Sequence, residues 1–165
     1  VASLDDPSLH DLVQPWGWDL AEASDGSGML LQRGPRHIHV RRGTFAAVLH
    51  SSDLLVCMAG TAAEQAVGLA RPVLQLAGRG PQFTAGFAEA QRRLLGPTVF
   101  CAQGEPGETA TLEASAQLAI DLLRRSRLDP DLQRQCQQQA LQRLGPAGGG
   151  ARMAQAISDL VQQPS

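Results

Sequence analysis

The chain has 165 residues, which is long enough for one domain with a buried core. Of these residues 43% are hydrophobic and 18% are charged, a composition unlike that of a disordered segment. Its net charge of −2 gives no basis for expecting a nucleic-acid partner. All 14 basic residues are arginine and there is no tyrosine, which excludes a Schiff-base lysine, a P-loop lysine and a tyrosine acid or base.

The first 43 residues predict short elements rather than one long pattern. In chain order these are a helix over 8–13, a strand over 16–21, and a hairpin whose strands, 29–33 and 37–41, flank Gly34-Pro35. Four arginines lie in or beside this hairpin, with no acidic residue between 26 and 52: Arg33, Arg36, Arg41 and Arg42. This basic patch could meet an anionic lipid surface or phosphates, or it could be a solvated hairpin.

His37 and His39 are two residues apart in the second of these predicted strands. Side chains at this spacing share one face of a strand, so the two imidazoles could bind a metal together. The sequence offers no third ligand, and we predict no metal site.

From residue 44 to 108 the chain alternates between helices and short apolar strands. In order, the predictions are a helix over 45–50, a strand over 54–58, a helix over 61–70, a strand over 73–77, a helix over 83–95 and a strand over 98–101. Short, continuously apolar strands joined by helices are typical of a parallel sheet that is covered on both faces. We therefore predict an α/β, Rossmann-like, open and mostly parallel sheet with helices on both faces.

The remaining residues, 109–165, are predicted to be helical. Asp129-Pro130 has the form of an N-cap followed by the first residue of a helix, which then runs to Leu144. Pro146 and the glycines 148–150 interrupt the pattern, and a last helix is predicted over 151–161. The whole chain is predicted to be a single domain, with a βα core over 44–108 and a helical part over 109–165.

A glycine turn connects the predicted strand 54–58 to the helix that follows it. Gly60 breaks the strand, and the helix is predicted to begin at Thr61. Such a turn leaves free N–H groups at the positive end of the helix dipole, which favours phosphate, and Glu64 could accept two hydrogen bonds from a sugar diol. The alternative is structural, because Thr61-x-x-Glu64 is also the pattern of a capping box.

A second loop follows the next predicted strand and contains Gly80, Pro81 and Gln82. It is not a GxGxxG fingerprint, so it does not indicate a dinucleotide. Open α/β sheets bind their ligands at the carboxyl ends of the strands, where Gln82 could bind sugar hydroxyls. An ordinary βα loop with a proline at the helix entry is the other interpretation.

These two loops lie within the run AGTAAEQAVGLARPVLQLAGRGPQFTAGFAEAQRRLLGP. This run resembles the C-terminal domain of lipid-A-disaccharide synthases, and is more similar still to lipid-A-disaccharide synthase-related proteins. These proteins are similar to inverting glycosyltransferases of the GT-B architecture. The resemblance is specific over residues 53–100, weaker through the C-terminal helices and loose before residue 44.

The resemblance implies a donor-binding domain for UDP-hexosamine, with no cofactor. It implies that Glu64 holds the ribose hydroxyls, that the Gly60 turn meets the diphosphate and that Gln82 faces the donor sugar. Thr44 and Phe45 would lie near the base. The substrate-binding set predicted in this way is Gly60, Thr61, Ala62, Glu64, Gln65, Gly80, Pro81 and Gln82.

The chain departs from this family in two respects. It lacks the Gly/Ser/Arg-rich loop that opens the family's donor domain, and it contains no acceptor domain with a catalytic base. We therefore expect a fragment that begins inside a GT-B C-terminal domain, is inactive alone and can form homodimers through an exposed sheet edge. A UDP-sugar epimerase-like domain and a non-catalytic binding domain are the alternatives.

The predicted location is cytoplasmic, with peripheral contact to the inner membrane in the full protein. Cys57, Cys101 and Cys136 are widely spaced and form no CxxC pair, which is typical of reduced thiols. No apolar run reaches the roughly 18 residues of a membrane span.

Overall fold

The computed structural model describes residues 5–26, 28–58, 60–76, 78–80 and 84–162. By their internal contacts the residues form two compact units, 1–51 and 52–165. The helix that follows residue 44 groups with the first unit, although the sequence assigned it to the βα core. The single donor-binding domain over 1–165 stays a prediction.

The first unit is a three-stranded antiparallel meander with a helix at either end. Its elements are α1 (Asp6–Val13), a 3-10 turn (Gln14–Trp16), β1 (Asp19–Glu22), β2 (Met29–Arg33), β3 (Arg36–Val40) and α2 (Phe45–Ser51). The strands lie in the order β1-β2-β3. The hairpin predicted around Gly34-Pro35 is confirmed, with Arg33 opposite Arg36 at its tip. The strand predicted over 16–21 begins later, because Gln14–Trp16 form the 3-10 turn.

The second unit contains a small parallel sheet and most of the helical residues. Its elements are β4 (Leu55–Cys57), α3 (Thr61–Gly68), β5 (Val73–Gln75), α4 (Ala85–Leu95), β6 (Val99–Cys101), α5 (Thr109–Leu128), α6 (Pro130–Leu144) and α7 (Gly149–Gln162). The strands lie in the order β4-β5-β6, and both pairings are parallel. A mixed α/β fold with a parallel sheet is therefore confirmed at this coarse level, and the sheet has three short strands.

The core of the second unit forms where the middle strand meets α5. Leu74 and Leu122 are both fully buried and belong to one cluster with Ala102. Because side chains alternate across a strand, the next residue, Gln75, points to the opposite face of the sheet. There it bonds to Gln91 of α4. Helices α4 and α5 thus approach β5 from opposite faces.

Helix α6 begins as the sequence predicts. The Asp129 carboxylate accepts hydrogen bonds from the backbone N–H groups of Asp131 and Leu132, at 2.9 and 3.3 Å, and Pro130 is the first helical residue. The N-cap prediction is confirmed because its cause lies entirely within four consecutive residues.

Helix α7 begins at Gly149, inside the glycine run that was expected to precede it. The Arg152 guanidinium donates to the carbonyl groups of Pro146 and Ala147, at 2.8 and 2.7 Å, and so fixes the connection from α6. None of the residues of α7 is buried. Across the described ranges, no helix combines the length and apolar character that crossing a membrane requires.

Candidate functional site

The three parallel strands end together at one edge of the sheet. Their last residues are in register, with Cys57 of β4 beside Gln75 of β5, and Gln75 beside Cys101 of β6. The Leu76 amide donates to the Cys57 carbonyl at 2.8 Å, which holds the end of β5 against β4. The loops that follow β4 and β5 therefore leave from the same edge, as the sequence predicted for a ligand site.

The turn after β4 delivers the chain to the start of α3. Gly60 is the N-cap residue, with φ 104° and ψ −166°, a region of backbone conformation that is open almost only to glycine. No side chain in the described part of the chain makes a capping hydrogen bond at this helix start. The capping box predicted from Thr61-x-x-Glu64 is therefore wrong, because the helix begins one residue earlier than that pattern requires and Thr61 is already helical.

The N–H groups of the first turn of α3 differ in whether they have an acceptor among the described residues. The Ala63 amide donates to the Gly60 carbonyl at 3.0 Å. The amides of Thr61 and Ala62 have no acceptor among the described residues. At a helix N-terminus such groups carry a positive partial charge and attract anions.

The Glu64 carboxylate lies in the first turn of α3 and is half-buried. It makes no hydrogen bond or ion pair with another described residue, so its two oxygens are not used in capping. Ala62 is half-buried beside it, whereas Thr61 and Gln65 are exposed. The structure thus brings together, in one helix turn, a carboxylate and two amides that have no partner among the described residues.

The second predicted loop is only partly described. Gly80 is exposed and has φ 126°, which favours glycine. Pro81 and Gln82 lie outside the described residues, so their roles stay predictions.

A buried glutamine fixes the turn that carries Gly60. Gln91 of α4 is 8% exposed, and its side-chain amide bonds both backbone groups of Gly60. The Gly60 N–H donates to Gln91 Oε1 at 3.3 Å, and Gln91 Nε2 donates to the Gly60 carbonyl at 3.0 Å. The Gly60 N–H, which was expected to face a diphosphate, is therefore already paired.

A second buried glutamine supports the first. Gln75 is fully buried, and its Nε2 donates to Gln91 Oε1. Its own Oε1 lies 3.8 Å from the Cys101 sulfur, which donates to it. Because buried amides require partners, this chain of contacts ties the end of the sheet to the turn before α3.

Sequence reasoning did not identify Gln75 or Gln91. The available signal was a glutamine inside the apolar run Val73–Leu76, where a polar side chain has to be satisfied by another polar group. Nothing in the spacing indicates that the partner lies 16 residues further on, in α4.

The thiols at the sheet edge are not arranged for nucleophilic chemistry. Burial raises the pKa of Cys57 to about 11, and burial likewise raises the pKa of Cys101. Both thiols are therefore protonated near neutral pH, and a protonated thiol is a weak nucleophile.

Two other candidates belong to the first unit. Its basic patch is less charged than the sequence suggested, because Arg42 pairs with Asp6 at 2.7 Å and Arg41 lies 3.8 Å from Asp25. The expected base-binding residues Thr44 and Phe45 line an apolar groove of about 570 Å³ within that unit. Their proximity to a base stays a prediction.

Among the residues that the structure describes, no group of three or more histidine, cysteine, aspartate or glutamate side chains is placed to hold a metal ion.

Comparisons of the chain with protein-family models, with curated proteins and with solved structures gave no significant match.

Proposed function

We propose that the chain is the nucleotide-sugar donor-binding part of an inverting glycosyltransferase that resembles lipid-A-disaccharide synthase-related proteins. The donor is a UDP-hexosamine, and the architecture is a Rossmann-like domain of the GT-B type. The observation that carries this proposal is the start of α3 at the carboxyl edge of the parallel sheet, where two amides and the Glu64 carboxylate have no partner among residues 5–26, 28–58, 60–76, 78–80 and 84–162.

The chemistry of this turn suits a nucleoside diphosphate. The amides of Thr61 and Ala62 supply donors at the positive end of a helix dipole, where a diphosphate is favoured. One turn further on, Glu64 supplies the acceptors that a ribose diol needs. A nucleoside diphosphate carries both groups at a short separation, which a free phosphate does not.

In the proposed reaction the α3 N-terminus stabilises the negative charge that develops on UDP as it leaves the sugar. A base outside this chain removes the proton from the acceptor hydroxyl, which then attacks the anomeric carbon from the face opposite UDP. This chain alone therefore binds the donor and does not transfer the sugar.

The test is a calorimetric titration of the chain with UDP and, separately, with uridine. We expect saturable binding of UDP and much weaker binding of uridine, because uridine lacks the diphosphate that the α3 amides hold. Equal affinity for the two compounds, or no saturable signal at millimolar UDP, would contradict the proposal.

Glu64→Gln separates the ribose role from a structural one. We expect UDP binding to weaken by about 1–3 kcal/mol, because charge-assisted hydrogen bonds to the ribose are lost. Stability should change little, since Glu64 caps no helix. The matched control is Glu113→Gln, which removes an exposed carboxylate from α5. Unchanged UDP affinity in Glu64→Gln would remove Glu64 from the site.

A further inference from the structure

We infer that Gln91 is a positioning residue that orients the amides of the α3 turn toward the donor diphosphate. This inference rests on the proposed function for its ligand, but its structural step can be measured without any ligand. Gln91 lies 31 residues beyond Gly60 in the sequence, in helix α4.

The orientation follows from the planarity of the peptide bond. The Gly60 carbonyl and the Thr61 N–H belong to one planar trans peptide group, so they point in opposite directions. Gln91 Nε2 and the Ala63 amide both donate to that carbonyl at 3.0 Å, and together they fix its direction. The Thr61 N–H of the same peptide group is thereby directed away from Gln91.

The bond on the other side of Gly60 determines which amides remain for the ligand. The Gly60 N–H donates to Gln91 Oε1 at 3.3 Å, so it is not a donor to the diphosphate. The diphosphate donors are the amides of Thr61 and Ala62, which have no acceptor among the described residues. Gln91 therefore separates a structural amide from two ligand-binding amides within three consecutive residues.

The backbone of Gly60 fixes which way round the Gln91 amide sits, and the bond from Gln75 agrees with that orientation. Gln91 Oε1 accepts from two donors, the Gly60 N–H and Gln75 Nε2. Rotating the Gln91 amide by half a turn would place its NH₂ group against both donors and its oxygen against the Gly60 carbonyl. Each of those contacts would leave a buried polar group unsatisfied, so one orientation is strongly preferred.

The first measurement is hydrogen exchange of the wild-type chain by NMR, without nucleotide. We expect the Gly60 amide to exchange at least tenfold more slowly than the amides of Thr61 and Ala62. After addition of UDP, the amides of Thr61 and Ala62 should become protected while Gly60 changes little. Exchange at Gly60 as fast as at Thr61 would overturn the inference.

The second measurement uses Gln91→Leu, which keeps a similar side-chain volume but removes the two hydrogen bonds between Gln91 and Gly60, the Gly60 clamp. Its control is Gln139→Leu, because Gln139 is a buried glutamine of α6 whose side-chain hydrogen bonds with described residues stay within its own helix, to Gln142 and Arg143. We expect Gln91→Leu to raise the Kd for UDP at least tenfold and to accelerate exchange at Gly60. Gln139→Leu should lose stability but keep the Kd within twofold.

The outcomes distinguish this inference from the function on which it rests. If wild type does not bind UDP, the proposed function fails, and the exchange pattern of Gly60 against Thr61 alone decides whether the clamp exists. If wild type binds UDP and Gln91→Leu binds it equally well, Gln91 has a structural role only. Should Gln91→Leu fail to fold, the wild-type exchange pattern and its response to UDP still decide the question.

Discussion

Replacing Gly60 with alanine tests the backbone conformation on which the candidate site depends. Gly60 has φ 104° and ψ −166°, where a residue with a Cβ is strained. Apart from Gly60 and its two chain neighbours, no described residue has an atom within 4 Å of the position that the new Cβ would take. The cost of Gly60→Ala is therefore backbone strain alone, about 1–3 kcal/mol in the free energy of unfolding.

Two other glycines of the same unit calibrate this magnitude. Gly96 has φ 103° and ψ −177°, but there a Cβ would also collide with the Gln139 side chain. Gly96→Ala should therefore cost more than Gly60→Ala. Gly86 lies inside α4, and its Cβ would be 3.9 Å from Thr84 Oγ1, an ordinary contact. Gly86→Ala should stabilise the protein by about 0.5–1 kcal/mol, because alanine loses less entropy in a helix.

The assay is urea unfolding followed by far-UV circular dichroism, which reports on the helices of the second unit. Tryptophan fluorescence would not serve, since Trp16 and Trp18 both belong to the first unit. If Gly60→Ala unfolds within about 0.5 kcal/mol of wild type while Gly86→Ala shows its gain, the conformation assigned to Gly60 is refuted.

Two further predictions concern the packing and capping of the second unit. Leu122→Ala should lower the free energy of unfolding by about 3–5 kcal/mol in urea, because it opens a cavity beside Leu74 in the core. Leu128→Ala is the control on the same helix, since that side chain is 75% exposed, and it should stay within about 0.5 kcal/mol of wild type. The Asp129 pKa lies below its usual 3.8, chiefly because the carboxylate accepts from the Leu132 backbone and then from Arg125. The stabilisation by Asp129 is thus complete above pH 3.8 and is lost as the pH falls through the lower pKa of the folded state. We therefore expect the stability advantage of wild type over Asp129→Asn, measured by urea unfolding at neutral and at acid pH, to disappear in acid. A stability difference that stays constant with pH would contradict this.

The parts of the fold that the sequence predicted well have local causes. Asp129 caps α6 through two amides within three residues, and the turn at Gly34-Pro35 joins the strands that pair around it. The parallel order of β4, β5 and β6 also agrees with the βα alternation. The cap and the hairpin turn depend on residues that are neighbours in sequence, and the parallel order depends on a repeated strand–helix pattern that the sequence also shows.

The parts that were missed depend on competition or on distant contacts. Thr61 and Glu64 have the spacing of a capping box, but Gly60 occupies the N-cap position. Thr61 is therefore already helical, and its side chain does not cap the helix. The clamp of Gly60 by Gln91 joins residues 31 apart, through a register that only the folded sheet establishes. The sequence therefore predicted the turn itself, but neither the pairing of the Gly60 N–H nor the contact with Gln91 that makes it.

The absence of buried residues in α7 has a consequence for how the protein melts. A helix of 14 residues without tertiary burial is held mainly by its own backbone hydrogen bonds, and helices of that length are marginal in water. Its helix–coil equilibrium should therefore shift gradually with temperature, independently of the cooperative core around Leu74. In a thermal scan, ellipticity would decline along a sloping line well before the main transition, and that slope would belong to α7.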